Sequence, residues 1–192
     1  MGKIIVTDFI SLDGVIESPG PDGSSYKLAG WTLPYSSAEI MKLKADELFS
    51  SGALLLGNNT YEVFAKAWPT MEGTGEFGEK MNSIPKYIVS GSLTDPSWNN
   101  SHVILPDELV DKVTRLKDET KEDILVNGSS ILVKSLASNG LVDVYRLLVY
   151  PIVLGSGKKL FNDDTIKLKL IKSQSFDRGV VLLEYNPDTS HS

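Results

Sequence analysis

Hydrophobic positions along the chain fall into two periods. Lys3 to Ile10 is a β-branched, apolar run and Ala53 to Leu56 is wholly apolar; Lys86–Ser90, His102–Leu105 and Ile124–Val126 are further short runs, each predicting a strand. Between them apolar residues recur at helical spacing. Met41, Ala45, Leu48 and Phe49 follow a capping box of Ser36 and Glu39, and Tyr61, Phe64, Ala65 and Trp68 follow Asn59 and Glu62 and stop at Pro69. Asp107 precedes Leu109, Val113 and Leu116, while Leu132, Leu136 and Ala137 precede Gly140, placed where a helix C-terminus takes glycine. The last third changes character: Val144–Leu154 is strand-like, Ile166–Leu170 alternates with outward Lys167 and Lys169, and Val180–Tyr185 follows the turn Asp177-Arg178-Gly179. Strands alternating with helices, then consecutive strands, predict an α/β fold whose mixed sheet is parallel in the middle and antiparallel at its C-terminal edge.

Composition narrows the function. A chain of 192 residues, 41% hydrophobic, is expected to form one domain, here 1–187, with a polar tail at 188–192. It has no cysteine, which removes thiol nucleophiles and Cys-based zinc sites, and its two histidines, His102 and His191, make a His-rich metal centre improbable. A net charge of −6 argues against a nucleic-acid partner. The longest apolar stretch, Leu147 to Leu154, is far short of a membrane span, so a cytoplasmic protein with no membrane partner is expected.

Two glycine-rich stretches mimic phosphate loops without their context. Gly73-Thr74-Gly75-Glu76-Phe77-Gly78 follows a helix rather than a strand and reads as a flexible loop, like the exposed Ser18–Gly30 segment. Gly155-Ser156-Gly157-Lys158-Lys159 lacks Walker spacing. Gly57-Asn58-Asn59-Thr60 and Asn127-Gly128-Ser129-Ser130 fit better, because each sits where an apolar strand ends and a helix begins. Such junctions aim free N–H groups at one point. With Ser90-Gly91-Ser92 they would form one crevice at the strand ends, suited to a nucleotide. A serine hydrolase ranks far behind, because Ser90 lacks the flanking glycines of a nucleophile elbow.

An ordered set of motifs carries a family resemblance: Ser11-Leu12-Asp13-Gly14, Leu55 to Glu62, Lys86 to Ser90, Asn127-Gly128-Ser129 with Leu132, Gly140-Leu141-Val142-Asp143, and Pro151 to Phe161. Together they resemble the dihydrofolate-reductase-like family, in the branch of the C-terminal reductase domain of the bacterial bifunctional riboflavin-biosynthesis deaminase/reductase. The resemblance implies a homodimeric reductase that uses NADPH, or NADH, on a small heterocyclic or carbonyl-like substrate. It places Gly57, Asn58, Asn59 and Thr60 on the adenosine-side phosphates, and Ser90, Gly91 and Ser92 on the adenine and ribose. Asn127, Gly128, Ser129, Ser130, Ile131 and Leu132 would cradle the pyrophosphate, with Ile10 and the Ser11–Gly14 turn beside the nicotinamide. A cis peptide in that loop would align with Asn127–Gly128.

Relatives place basic residues where this chain has Asn58, Asn59 and Gly91, so preference for NADPH is expected to be weak or inverted unless Lys66 or Lys86 supplies the charge. Glu39 is the expected proton donor, with Asp13 as alternative; the first is equally a capping-box partner and the second a turn residue. Tyr35 and Trp31 would stack on a flat substrate or close a core edge, and Tyr150, Gly155 and Gly157 would shape the substrate side or a dimer contact. The competing function is a non-catalytic nucleotide-binding or interaction protein on the same scaffold.

Overall fold

The structure, a computed structural model, describes residues 1–161 and 165–188. Apart from Asp188, the expected tail lies outside the described residues. Among these, eight strands form one sheet: β1 (Ile4–Ser11), β2 (Ser51–Gly57), β3 (Lys86–Val89), β4 (Ser101–Ile104), β5 (Asp123–Val126), β6 (Val144–Tyr150), β7 (Leu168–Ser175) and β8 (Val181–Pro187). Their order is β4-β3-β2-β5-β1-β6-β8-β7. β1 to β6 run parallel, and β8 and β7 add an antiparallel edge. The α/β class and the mixed sheet are as expected.

Among the described residues five α-helices cover the sheet: α1 (Ala38–Ser50), α2 (Asn58–Ala67), α3 (Gly75–Ser83), α4 (Leu109–Glu119) and α5 (Ser130–Ser138). The strands alternate their side chains between two cores. Ile4, Val6, Leu55, Ile124 and Val126 meet Leu109, Val113 and Leu116 of α4 and Leu132, Val133 and Leu136 of α5. Ile5, Leu54, Leu56 and Ile88 meet Leu48 of α1, Tyr61 of α2 and Met81 of α3. A third cluster closes the β6–β8 end with Val15, Trp31, Ile40 and Tyr150. No helix among the described residues is long and apolar enough to cross a membrane.

Several local expectations change. The cap of α1 is Ser37, not Ser36: its Oγ accepts from the Ile40 N–H at 3.3 Å. That helix buries Ile40, Glu47 and Leu48, whereas Met41 and Phe49 are exposed, because the buried stripe carries a charged residue that an apolar count passes over. Asn59 is no cap either; Gly57 is, and α2 starts at Asn58. Asp107 sits in a 3-10 turn ahead of α4, whose cap is Glu108. The stretch expected to be a loop at Gly73–Gly78 opens α3, a helix with Gly78 and Met81 buried. β6 stops at Tyr150 before Pro151, which has no N–H to give the ladder.

Strand register builds the candidate site. β1 pairs with β5 only through Ile4–Val6, then runs on to Ser11 beside β6. β2 meets the last residue of β5 at Leu55, then adds Leu56 and Gly57. Both neighbours therefore overrun β5, leaving a notch in the carboxyl-end edge of the sheet.

Candidate active site

The notch is floored by the turn that follows β5. The Asn127 side-chain amide donates to the Thr7 carbonyl at 3.2 Å, tying the turn to β1. On the other wall the Gly57 N–H donates to the Gly128 carbonyl at 3.1 Å. A Cβ on Gly57 would stand 2.6 Å from Ser129 Oγ and 3.0 Å from its backbone nitrogen, so only glycine permits this approach. Gly128 takes φ +86°, and the cis peptide joins Gly128 to Ser129, one position after the expected pair. The two junctions singled out in the sequence thus touch through their backbones. Neither helix start has a side-chain cap, which leaves first-turn N–H groups of α2 and α5 free for an anion.

The remaining expected contacts divide. Gly91 and Ser92 lie exposed at the end of β3, but the Ser90 hydroxyl is buried, accepting from the Ser92 and Leu93 N–H groups at 3.2 and 3.0 Å. Leu132 and Ile10 pack in the α4–α5 core, so their side chains belong to the scaffold, while Ile131 is 73% exposed at the rim. Asn58 donates to Glu62 Oε1 at 2.7 Å, and its Oδ1 is buried without a partner. Thr60 Oγ1 is 3.4 Å from where a Cβ on Gly128 would be, and Asp8 Oδ1 is 3.9 Å from the same point.

Asp8 is the residue that the sequence reading missed. It sits on β1 just past the end of β5, with Oδ2 closed off from solvent and no hydrogen-bond partner. Burial pushes its carboxyl up to about 8; the charge of Lys44 lowers it and that of Glu47 raises it, both by less. A carboxyl in this state is protonated at neutral pH. The available signal was a lone acid inside an apolar strand, since such acids are seldom buried unless paired.

The two expected donors are placed differently. Glu39 stands exposed in the first turn of α1, with its carboxylate on the solvent side. Asp13 accepts from Ser11 Oγ at 2.7 Å and from the Leu154 and Gly155 N–H groups at 3.1 and 2.8 Å. The bonds from Ser11, Leu154 and Gly155 hold it down to about 2, so it has no proton to give near neutrality. Its work is to pin the Pro151–Gly157 loop to the end of β1. Gly157 is needed there as well, because a Cβ would come within 2.6 Å of Val15.

On the opposite face of β1 lies a closed ionic network. Lys44 donates to Thr7 Oγ1 at 2.7 Å and to Glu47 at 2.5 Å, and Arg146 bridges Glu47 at 3.0 Å and Glu184 at 2.7 Å. Burial alone would raise Glu47, but Lys44 and Arg146 outweigh it and hold the carboxyl below its usual range. Beside it Phe9, Trp31 and Tyr35 stand edge-on around Tyr150, with ring centroids 5.6, 5.4 and 5.7 Å away. Trp31 is only 5% exposed and donates to the Glu17 carbonyl, so it closes a core edge. Cavities of about 180 and 350 Å³ lie between α5 and the segment leading into β7 and beside the end of β8.

Comparison with known proteins identifies the family and the fold. Residues 2–182 match the model of the RibD C-terminal domain. The uncharacterized protein YyaP of Bacillus subtilis (strain 168) is 29% identical over 189 residues, covering 96% of this chain and 94% of its own. Acinetobacter baumannii RibD superposes with a TM-score of 0.67 at 17% identity, over 98% of this chain and 59% of that one. A dihydrofolate reductase from Enterococcus faecalis, complexed with NADP(H), superposes with a TM-score of 0.64 at 15% identity, over 97% of both chains. At these identities the two structures establish the shared fold.

Proposed function

The chain belongs to the RibD C-terminal domain family, and from that premise we propose that it is a reductase using a reduced nicotinamide dinucleotide on a small heterocyclic or carbonyl-like substrate. The observation that carries this reading is the backbone contact between Gly57 and Gly128–Ser129, which turns two uncapped helix starts toward one notch. That arrangement suits a pyrophosphate, whose two charges the first-turn N–H groups of α2 and α5 would neutralise. When bound, the dinucleotide supplies the hydride. The chain's part is to hold it across the strand ends and to keep a proton available. Asp8, whose carboxyl stays protonated to about pH 8 and whose Oδ2 has no competing partner, is the group in the notch able to donate one.

The test is absorbance at 340 nm with NADH and NADPH against a panel of pteridines and pyrimidinones, beside a direct binding titration. Turnover that falls by about a hundredfold or more in Asp8→Asn, with dinucleotide binding retained, is the expected result for a general acid. Binding without turnover across the panel would favour the non-catalytic reading. Absence of both would refute the dinucleotide site.

A further inference from the structure

We infer that the dinucleotide taken by this site is one whose adenosine ribose carries a free 2′-hydroxyl, NADH, and that the site turns away the 2′-phosphate of NADPH by charge. This rests on the reductase reading above, with the adenosine half lying over the ends of β2, β3 and β4. A 2′-phosphate is a dianion, and its recognition requires cations placed to form charge-assisted hydrogen bonds. The turns on this side, Gly57–Thr60 and Ser90–Asp95, contain no Lys, Arg or His, nor does Asn127–Leu132 across the notch.

Carboxylates stand there instead. Asn58 holds Glu62 beside the first turn of α2 at 2.7 Å. Gly91 faces Pro106, 3.8 Å from where its Cβ would be, and Asp107 and Glu108 follow directly.

The cations that might compensate lie elsewhere or are engaged there. Lys86 lies at the opposite end of β3, wholly buried. Its ammonium donates to the Asn82, Ile84 and Asn99 carbonyls at 3.1, 2.7 and 2.9 Å and sits 4.3 Å from the Trp98 ring centroid. Lys66 is in the last turn of α2, about 12 Å along the helix axis from Asn58. Lys112 faces Glu108 at 4.0 Å, and Lys134 lines the cavity beneath α5.

The experiment titrates the full chain with NADH and with NADPH by calorimetry, at low and at raised ionic strength. NADH is expected to bind at least about tenfold tighter, with the gap narrowing as salt screens the repulsion. Asn58→Arg is expected to raise NADPH affinity about tenfold or more relative to NADH, and Glu62→Gln to move the ratio the same way by less. Thermal unfolding of both variants checks that they are folded, and Asn59→Arg provides a second placement of the cation. Equal or tighter binding of NADPH by the unaltered chain would overturn the inference while leaving the reductase reading standing. So would an NADPH/NADH ratio unmoved by every one of these folded variants. Binding of neither dinucleotide would overturn the underlying reading, and the inference with it.

Discussion

Among single residues, Asp8 departs most from what stability alone would select. Its folded pKa of about 8 lies above the roughly 3.9 of an unfolded aspartate. Between those values the folded protein keeps a proton that the unfolded chain has released. Its contribution to stability is therefore fully present below about pH 4 and is lost as pH rises through about 8. Asp8→Asn removes the titration while keeping the shape. Denaturant unfolding from pH 5 to 9 is expected to show the variant gaining stability relative to the parent as pH rises, by roughly 4 kcal/mol between pH 5 and pH 8. A group that costs stability and stands in a notch between the two turns proposed to hold the dinucleotide has the profile of a functional residue. Asp13 is its counterpart: three hydrogen bonds make it a fully used, ionised brace.

At the scale of elements, the site depends on how β2 and β5 hand over to their helices. The Gly57 and Gly128–Ser129 turns approach so closely that any side chain on Gly57 must drive them apart. Gly57→Ala is expected to cost about 1–3 kcal/mol through this overlap. It should also weaken dinucleotide binding more than any alanine change on the exposed face of α4, as parallel melting and titration experiments would reveal. The glycine was legible in the sequence as a turn residue after an apolar run. That it is squeezed against Ser129 was not, because the two residues are 72 positions apart. α3 was hidden for a related reason. Gly73, Gly75 and Gly78 read as breakers, yet Gly78 is needed at a helix position where a Cβ would stand 2.0 Å from Thr74 Oγ1.

For the whole molecule, the two edges of the sheet differ. β4 has only four residues, whereas β7 has eight, nearly all exposed, with Leu170 and Ile171 each 51% accessible at a register shift between Leu170 and Lys172. An edge strand carrying exposed apolar side chains is a natural place for a second copy to pack. Sedimentation at micromolar concentration is expected to give a homodimer, and Leu170→Glu combined with Ile171→Glu a folded monomer. A parent chain that sediments as a monomer would count against it.

The sequence by itself determined the order of the strands and of every α-helix described except α3, together with the mixed sheet, the two glycine junctions and the shortage of cations around them. These are properties of local period, turn chemistry and residue type, which survive without knowledge of neighbours. Tertiary structure decided which acid is protonated, which is ionised and where the crevice lies. Asp13, Asp8 and Glu47 are three carboxylic acids of similar intrinsic strength. Three donors, burial without a partner and two flanking cations set them apart, and each of those environments is assembled by packing. The notch has the same origin: it is the difference in reach between β5 and its neighbours, a quantity that exists only once the three strands lie side by side.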